Sequence, residues 1–257
     1  MELGEWNADA RALRLGASEM KQKYTLEISV ETVDAARAAE RGGADRIELC
    51  ADLSVGGVTP GADLARTVRA RVRIPIFSMV RPRAGDFVYS TTELAEMKRA
   101  ISAAKESGMD GLVLGVLTKE HRVDVEGTRE LVEFAKPLPV TYHRAFDEAA
   151  DLRQALEDVI RSGAQRILTS GGEKSAPEGA AVLTELVAAA RKRIVIVPGA
   201  GITARSIEQV AQQTGAREFH SGLSTSLPYG SREYKRFEEE VRKLAQQLGR
   251  ISESPAG

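Results

Sequence analysis

The chain is short of the residues that carry the most specialised chemistry. Its 257 residues include one cysteine, Cys50, and three histidines. A single cysteine excludes an intramolecular disulfide and a multi-cysteine metal cage within one chain. It also fits a reducing compartment. Charge of one sign is missing too. Lys+Arg number 36 against 37 Asp+Glu, which leaves no basic footprint for nucleic acid. No apolar run approaches the ~20 residues of a membrane span. The opening MELGEWNADARALRLGASEMKQ lacks the basic-then-apolar pattern of a signal peptide. Residues 1–23 read as a disordered N-terminal extension, with Met20 an alternative start. Residues 250–257 read as a C-terminal tail, and 24–249 as one folded domain.

Between those ends, short apolar runs recur: LEISV from Leu26, RIELC from Arg46, IPIFSMV from Ile74, LVLGV from Leu112, VTYHR from Val140, RILTS from Arg166, IVIVPG from Ile194 and EFHSG from Glu218. Helical patterns lie between them. TVDAARAAERGG and TTELAEMKRAISAAKESG are the clearest, each opening on a capping threonine and ending in glycine. Strand–helix alternation marks parallel βαβ units. GGADRIELC, SGMDGLVLG, SGAQRILTSG and TGAREFHSG form a faint internal repeat. Eight units with no linker predict an α/β fold, a single-domain (β/α)8 TIM barrel.

In a barrel, alternate residues face the lumen. Leu26, Ile28 and Val30 suit the helix side, which turns Glu27 and Ser29 inward. The same alternation turns Glu48 and Cys50, Thr141 and His143, and Glu218 and His220 inward. Glu27 and Glu48 then lie at one depth, with Ser29 and Cys50 nearer the mouth. Buried charge is costly unless paired or used. Arg81 and Arg83 end the third strand and follow it, where barrel active sites form. The residues allow a ligand site or a fixed polar layer in which arginines hold the two glutamates.

The seventh strand runs into PGAGIT, where Gly199 and Gly201 open a helix. HSG follows the eighth strand, and SGGEKS, with Ser170, Gly171 and Lys174, follows the sixth. Loops after the seventh and eighth strands of barrels often hold phosphate, so these read either as anion-binding backbone or as tight turns. Neither GxGxxG nor a P-loop is present.

Several long motifs in order carry a family resemblance: GGADRIELC, GGVTP (Gly56–Pro60), VRPR (Val80–Arg83), GDFVYS (Gly85–Ser90), TYHRAFD (Thr141–Asp147), LTSG (Leu168–Gly171) and PGAGI (Pro198–Ile202). Together, from Leu26 to Gly222, the chain resembles the copper homeostasis protein CutC family. The resemblance implies a cytoplasmic, homo-oligomeric TIM barrel that binds copper. It implies soft ligands from a first-strand cysteine and the cysteine of the second-strand ELC. Ser29 stands at the first position and Cys50 at the second. A serine hydroxyl is a poor Cu(I) ligand, so the copper site does not carry over intact.

Two functions follow. One is copper handling through Cys50. The other is an enzyme of isomerase or lyase type, acting on a small anionic or phosphorylated metabolite at the barrel mouth. In the second, Glu27 or Glu48 and His143 exchange protons, or hold a hard divalent ion. Arg81 and Arg83 clamp the anion. Arg144, Asp147, Ser170, Gly171, Gly199, Gly201 and His220 complete the binding surface. A structural or interaction protein is the third, weaker reading. The expected ligand is a small molecule or metal, with no nucleic acid and no membrane.

Overall fold

The computed structural model describes residues 24–223 and 233–253. The N-terminal extension and Met20 lie outside the described residues, as do 254–257 of the expected tail. Eight strands alternate with eight helices: β1 Thr25–Val30, α1 Val33–Gly42, β2 Arg46–Leu49, α2 Ala62–Arg69, β3 Ile76–Met79, α3 Thr91–Glu106, β4 Gly111–Leu114, α4 Val125–Ala135, β5 Val140–Tyr142, α5 Leu152–Ser162, β6 Arg166–Thr169, α6 Ala180–Ala190, β7 Val195–Pro198, α7 Ile207–Thr214, β8 Glu218–Ser221 and α8 Tyr234–Glu253. The last helix continues to Glu253, past the domain end expected at residue 249.

The strands form one parallel sheet in the order β7-β6-β5-β4-β3-β2-β1-β8. This is the (β/α)8 barrel expected from the sequence. Its seam falls between β7 and β8. There the Ser221 hydroxyl donates to the Ile202 carbonyl at 2.7 Å.

Local chemistry explains the helix ends. The Thr32 hydroxyl accepts the Ala35 N–H and starts α1, and Gly43, at φ 97°, ends it. In α3 the cap is Ser90 rather than either threonine. Its hydroxyl accepts the Glu93 N–H, and the Glu93 carboxylate accepts the Ser90 N–H. That box carries the functional loop before α3 into its helix.

The barrel has two apolar cores. Outward residues such as Leu26, Ile28, Ile47, Leu112 and Tyr142 are fully buried under the helices. Each such side chain contributes about 1.5–3 kcal/mol. Cys50, Leu53, Phe77, Met79 and Val113 form a separate cluster. These are the inward positions of β2–β4 and the loop above them. Gly111 makes room for this inner cluster, since a Cβ there would sit 2.5 Å from the Phe77 ring. Strand ends, and the loops they feed, gather at the C-terminal mouth.

Candidate functional site

Below the mouth the lumen is charged. Glu27 and Glu48 both point inward and are buried. Register corrects their relative depth. Glu48 pairs with Ser29, while Glu27 pairs with Arg46 and with His220. Glu27 thus sits one inward step beneath Glu48. Arg46 donates from Nε to Glu27 Oε2 at 2.5 Å and from Nη2 to Glu218 Oε2 at 2.8 Å. Arg166 reaches the same Glu218 oxygen at 3.1 Å. Both guanidinium groups lie on the Phe77 ring, at 4.7 and 5.2 Å from its centroid. The barrel floor is therefore a compensated ion network. It contains a fixed polar layer, built by Arg46 and Arg166 and not by Arg81 or Arg83.

On its other side, the Glu27 Oε1 lies 2.8 Å from Nδ1 of its register partner His220. Nε2 of His220 faces Glu48 Oε2 at 3.8 Å. Burial alone would raise the Glu27 pKa, but Arg46 and His220 overcome it and hold the carboxyl at about 2. Burial raises Glu48 above the usual carboxylate range, and the nearby Glu27 charge adds to this, against the pull of His220. Burial would lower His220, but Glu48 and Glu27 outweigh it and raise its pKa. An anionic Glu27 thus orients an imidazole that shares a proton-holding role with Glu48. Glu48 Oε1 is buried and has no hydrogen-bond partner among the described residues.

A cavity of about 370 Å³ opens above this set. Glu48, His220, Ser29 and Met79 line its inner part, and Arg81, Phe87, His143 and Arg144 line its walls. His143 caps the short 3-10 turn after β5. Its Nδ1 accepts the Ala145 N–H at 3.1 Å. Burial lowers its pKa to about 3, with the Arg81 charge adding to the effect. The neutral imidazole is therefore favoured near pH 7, which makes His143 a weak base. Its Nε2 is buried without a partner among the described residues.

Arg81 lines the cavity but is not a free anion clamp. Nη1 donates to the carbonyls of Val55 and Gly57, and Nη2 to that of Gly85. It ties the loops after β2 and β3 together. Arg83 does not reach the cavity. It binds Glu93 at 2.5 Å and Asp86 at 2.9 Å and stacks on Tyr89. Arg144 is at the rim, half-exposed, held by Asp147 at 2.8 Å and Ser170 at 3.0 Å. Asp147 lines the cavity and also accepts from the Ser170 and Gly172 N–H groups, so it organises the loop after β6.

The loop glycines are placed for packing. Ser170 and Gly171 are turned into the protein: the Ser170 hydroxyl donates to the Glu173 carbonyl, and a Cβ on Gly171 would meet the Gly179 carbonyl at 2.8 Å. A Cβ on Gly199 would collide with Leu168, and one on Gly201 with Ser175. Ala200 and Gly222 line the cavity in their stead.

Reasoning from the sequence missed Arg46, Arg166, Met79 and Phe87. The same alternation that turned Glu48 inward also turns Arg46 inward, two residues earlier, so that signal was present. Nothing in the sequence pairs Phe87 with His143, whose ring centroids are 4.8 Å apart.

The donor set was tested against copper. Cys50 is fully buried and its Sγ donates to Glu48 Oε2 at 3.4 Å. Burial, then Glu48, push its thiol well above the ordinary range. A Cu(I)–thiolate needs the opposite. Cys50 does not line the cavity, and Ser29 offers only a hydroxyl there. A Cu(I) site on Cys50 does not fit these residues. Glu27, Glu48 and His220 bring ligand atoms within 4.8 Å of one another, an oxygen-and-nitrogen set suited to a harder ion. Arg46 and His220 already occupy both oxygens of Glu27.

Fold and site together define a (β/α)8 barrel with a titratable cavity at its C-terminal mouth. The model of the CutC family matches residues 24–225. The human copper homeostasis protein cutC homolog is 45% identical over 207 residues, covering 80% of this chain and 76% of that protein. A family protein CutC from Xanthomonas campestris pv. campestris is 44% identical over 196 residues, covering 76% and 82%. A crystal structure of a CutC protein from Streptococcus agalactiae superposes with a TM-score of 0.73 at 31% identity, covering 77% of this chain and 98% of that one. This chain belongs to the CutC family. Among the described residues, no helix is long and apolar enough to cross a membrane.

Proposed function

We propose that the chain is an acid–base enzyme of the barrel mouth, acting on a small polar metabolite by an isomerase- or lyase-type reaction. One observation carries this reading. Glu48, whose buried Oε1 has no partner among the described residues, lines a cavity of about 370 Å³, and His220 and Glu27 stand behind it. A solitary buried carboxylate oxygen costs free energy that a bound ligand recovers. A carboxylate with a raised pKa beside an oriented imidazole is suited to exchanging one proton with that ligand. Arg144 supplies the rim charge for an anionic group, the role first given to Arg81 and Arg83.

Thermal shift of the native chain against a metabolite set, repeated with Glu48→Gln, tests this. A ligand that stabilises the native chain by several degrees and leaves the variant unmoved supports the reading. Equal stabilisation of both, or none of either, sinks it.

Copper is the second reading. The names of the human and mouse relatives favour it. Among the described residues lining the cavity, the Met79 thioether and the imidazoles of His143 and His220 are the donors that suit copper. Titration with Cu(I) under reducing conditions tests it. Tight binding lost in Cys50→Ala would restore the thiolate site; unchanged binding in that variant removes Cys50 as a ligand. Cytoplasmic residence and a homo-oligomeric state belong to this same reading, and light scattering on the full chain checks the second.

A further inference from the structure

Among the described residues, three unpartnered buried atoms belong to residues lining the same cavity, Glu48 Oε1, Arg81 Nε and His143 Nε2, and the first and last are chemical opposites. Glu48 Oε1 accepts; His143 Nε2 donates. The donor assignment follows from geometry. Nδ1 of His143 receives the Ala145 N–H at 3.1 Å, so Nδ1 carries the lone pair and the ring proton is on Nε2. The ring cannot turn away. Phe87 packs on it at 4.8 Å and Tyr142 meets it edge-on at 6.2 Å. It also lies so close over Gly115 that a Cβ there would be 2.6 Å from Nδ1. An oriented, buried N–H with nothing to bind costs free energy, which a ligand oxygen would return.

We propose that His143 is a neutral hydrogen-bond donor to the oxygen of a carbonyl substrate, whose adjacent C–H gives up its proton to Glu48. This rests on the acid–base reading above and names its substrate class: small aldehydes, ketones or 2-oxo acids with an acidic α-hydrogen. With the shared proton on His220, the Glu48 carboxylate takes the α-proton through Oε1. The C–H bonding pair becomes the C=C of an enolate. The negative charge moves to the oxygen, which the His143 N–H stabilises. Return of the proton to the same carbon ends the step, with no oxidant, reductant or second substrate. A neutral imidazole polarises such an oxygen without protonating it. Because Glu27 keeps its charge and holds Nδ1 of His220, the base side and the donor side of the cavity stay distinct.

The test uses the full chain labelled with 15N-histidine, its three ring systems assigned from single variants. The probe is acetohydroxamate, a stable mimic of an enediolate. The expected result is an Nε2–H tautomer for His143 from pH 8 to pH 5, with that proton moving downfield as the probe saturates. In parallel, deuterium incorporation at the α-carbon of pyruvate and of dihydroxyacetone is followed in D2O. His143→Phe should slow exchange about 100-fold, and His143→Gln, which keeps an N–H donor, should recover part of the loss.

If the probe moves only the His220 signals, or if His143→Phe exchanges as fast as the native chain, the role of His143 is overturned. The acid–base reading survives that result. If no histidine responds and native exchange equals the buffer rate, both fall.

Discussion

Nδ1 of His220 and Oε1 of Glu27 meet at 2.8 Å across the β8–β1 ladder, where the two residues are register partners. Strand pairing alone brings them together. Glu27 is itself held anionic at about 2 by Arg46 and His220 in spite of burial. Glu27→Gln should therefore lower the His220 pKa, because an adjacent negative charge is removed. Histidine NMR titration reads this directly. The variant also leaves part of the Arg46 charge uncompensated, and urea unfolding should show a loss of about 3–5 kcal/mol.

Acid stability should report His143. Its folded pKa of about 3 lies below the ordinary 6.5. Between those values the unfolded chain binds a proton that the folded chain refuses. Stability is therefore complete above pH 6.5 and falls as pH drops through this window, by about 1.4 kcal/mol per unit. Glu48, raised by burial, acts in the opposite sense just above pH 4.5. Comparing native and His143→Phe chains from pH 6.5 to 5 isolates the histidine. The native chain should lose stability more steeply than the variant by roughly 1–2 kcal/mol across that interval.

The Cys50 thiol is fully buried and has a raised pKa. At pH 8 it should resist iodoacetamide in the folded chain and react within minutes in urea. Rapid labelling of folded protein would show that the thiol is accessible and ionised, contrary to its packing beside Leu53, Phe77 and Met79.

Gly115→Ala is a sensitive probe of the cavity wall. The new methyl would lie 2.6 Å from Nδ1 of His143 and 3.1 Å from the Ala145 Cβ. Overpacking of this kind costs about 1–3 kcal/mol, and displacing the imidazole should abolish whatever ligand binding His143 supports. Thermal melts and ligand titration on the same sample separate the two effects. Retained binding at reduced stability would show that the ring position is not required.

Arg83→Ala should leave ligand binding within about twofold, because Arg83 binds Asp86, Glu93 and Tyr89 away from the cavity. The corresponding change at Arg81 should loosen the loops carrying Val55, Gly57 and Gly85. Loss of binding in the Arg83 variant, measured by titration calorimetry, would place Arg83 back at the mouth.

By itself the sequence determined the barrel, the inward face of each strand and the family. Period-two alternation settles which side chains turn inward, and glycine-ended helices before short apolar runs mark the βαβ units. Glu27, Glu48 and His220 were legible for that reason. Tertiary structure decided what each charge is paired with. Arg46, and not the nearby arginines of VRPR, neutralises Glu27, because strand register rather than proximity in sequence sets lumen neighbours. It also decided that a charged His143 is disfavoured, since burial and the Arg81 charge beside it come from the fold. Protonation depends on three-dimensional surroundings, and the order of residues along the chain does not contain them.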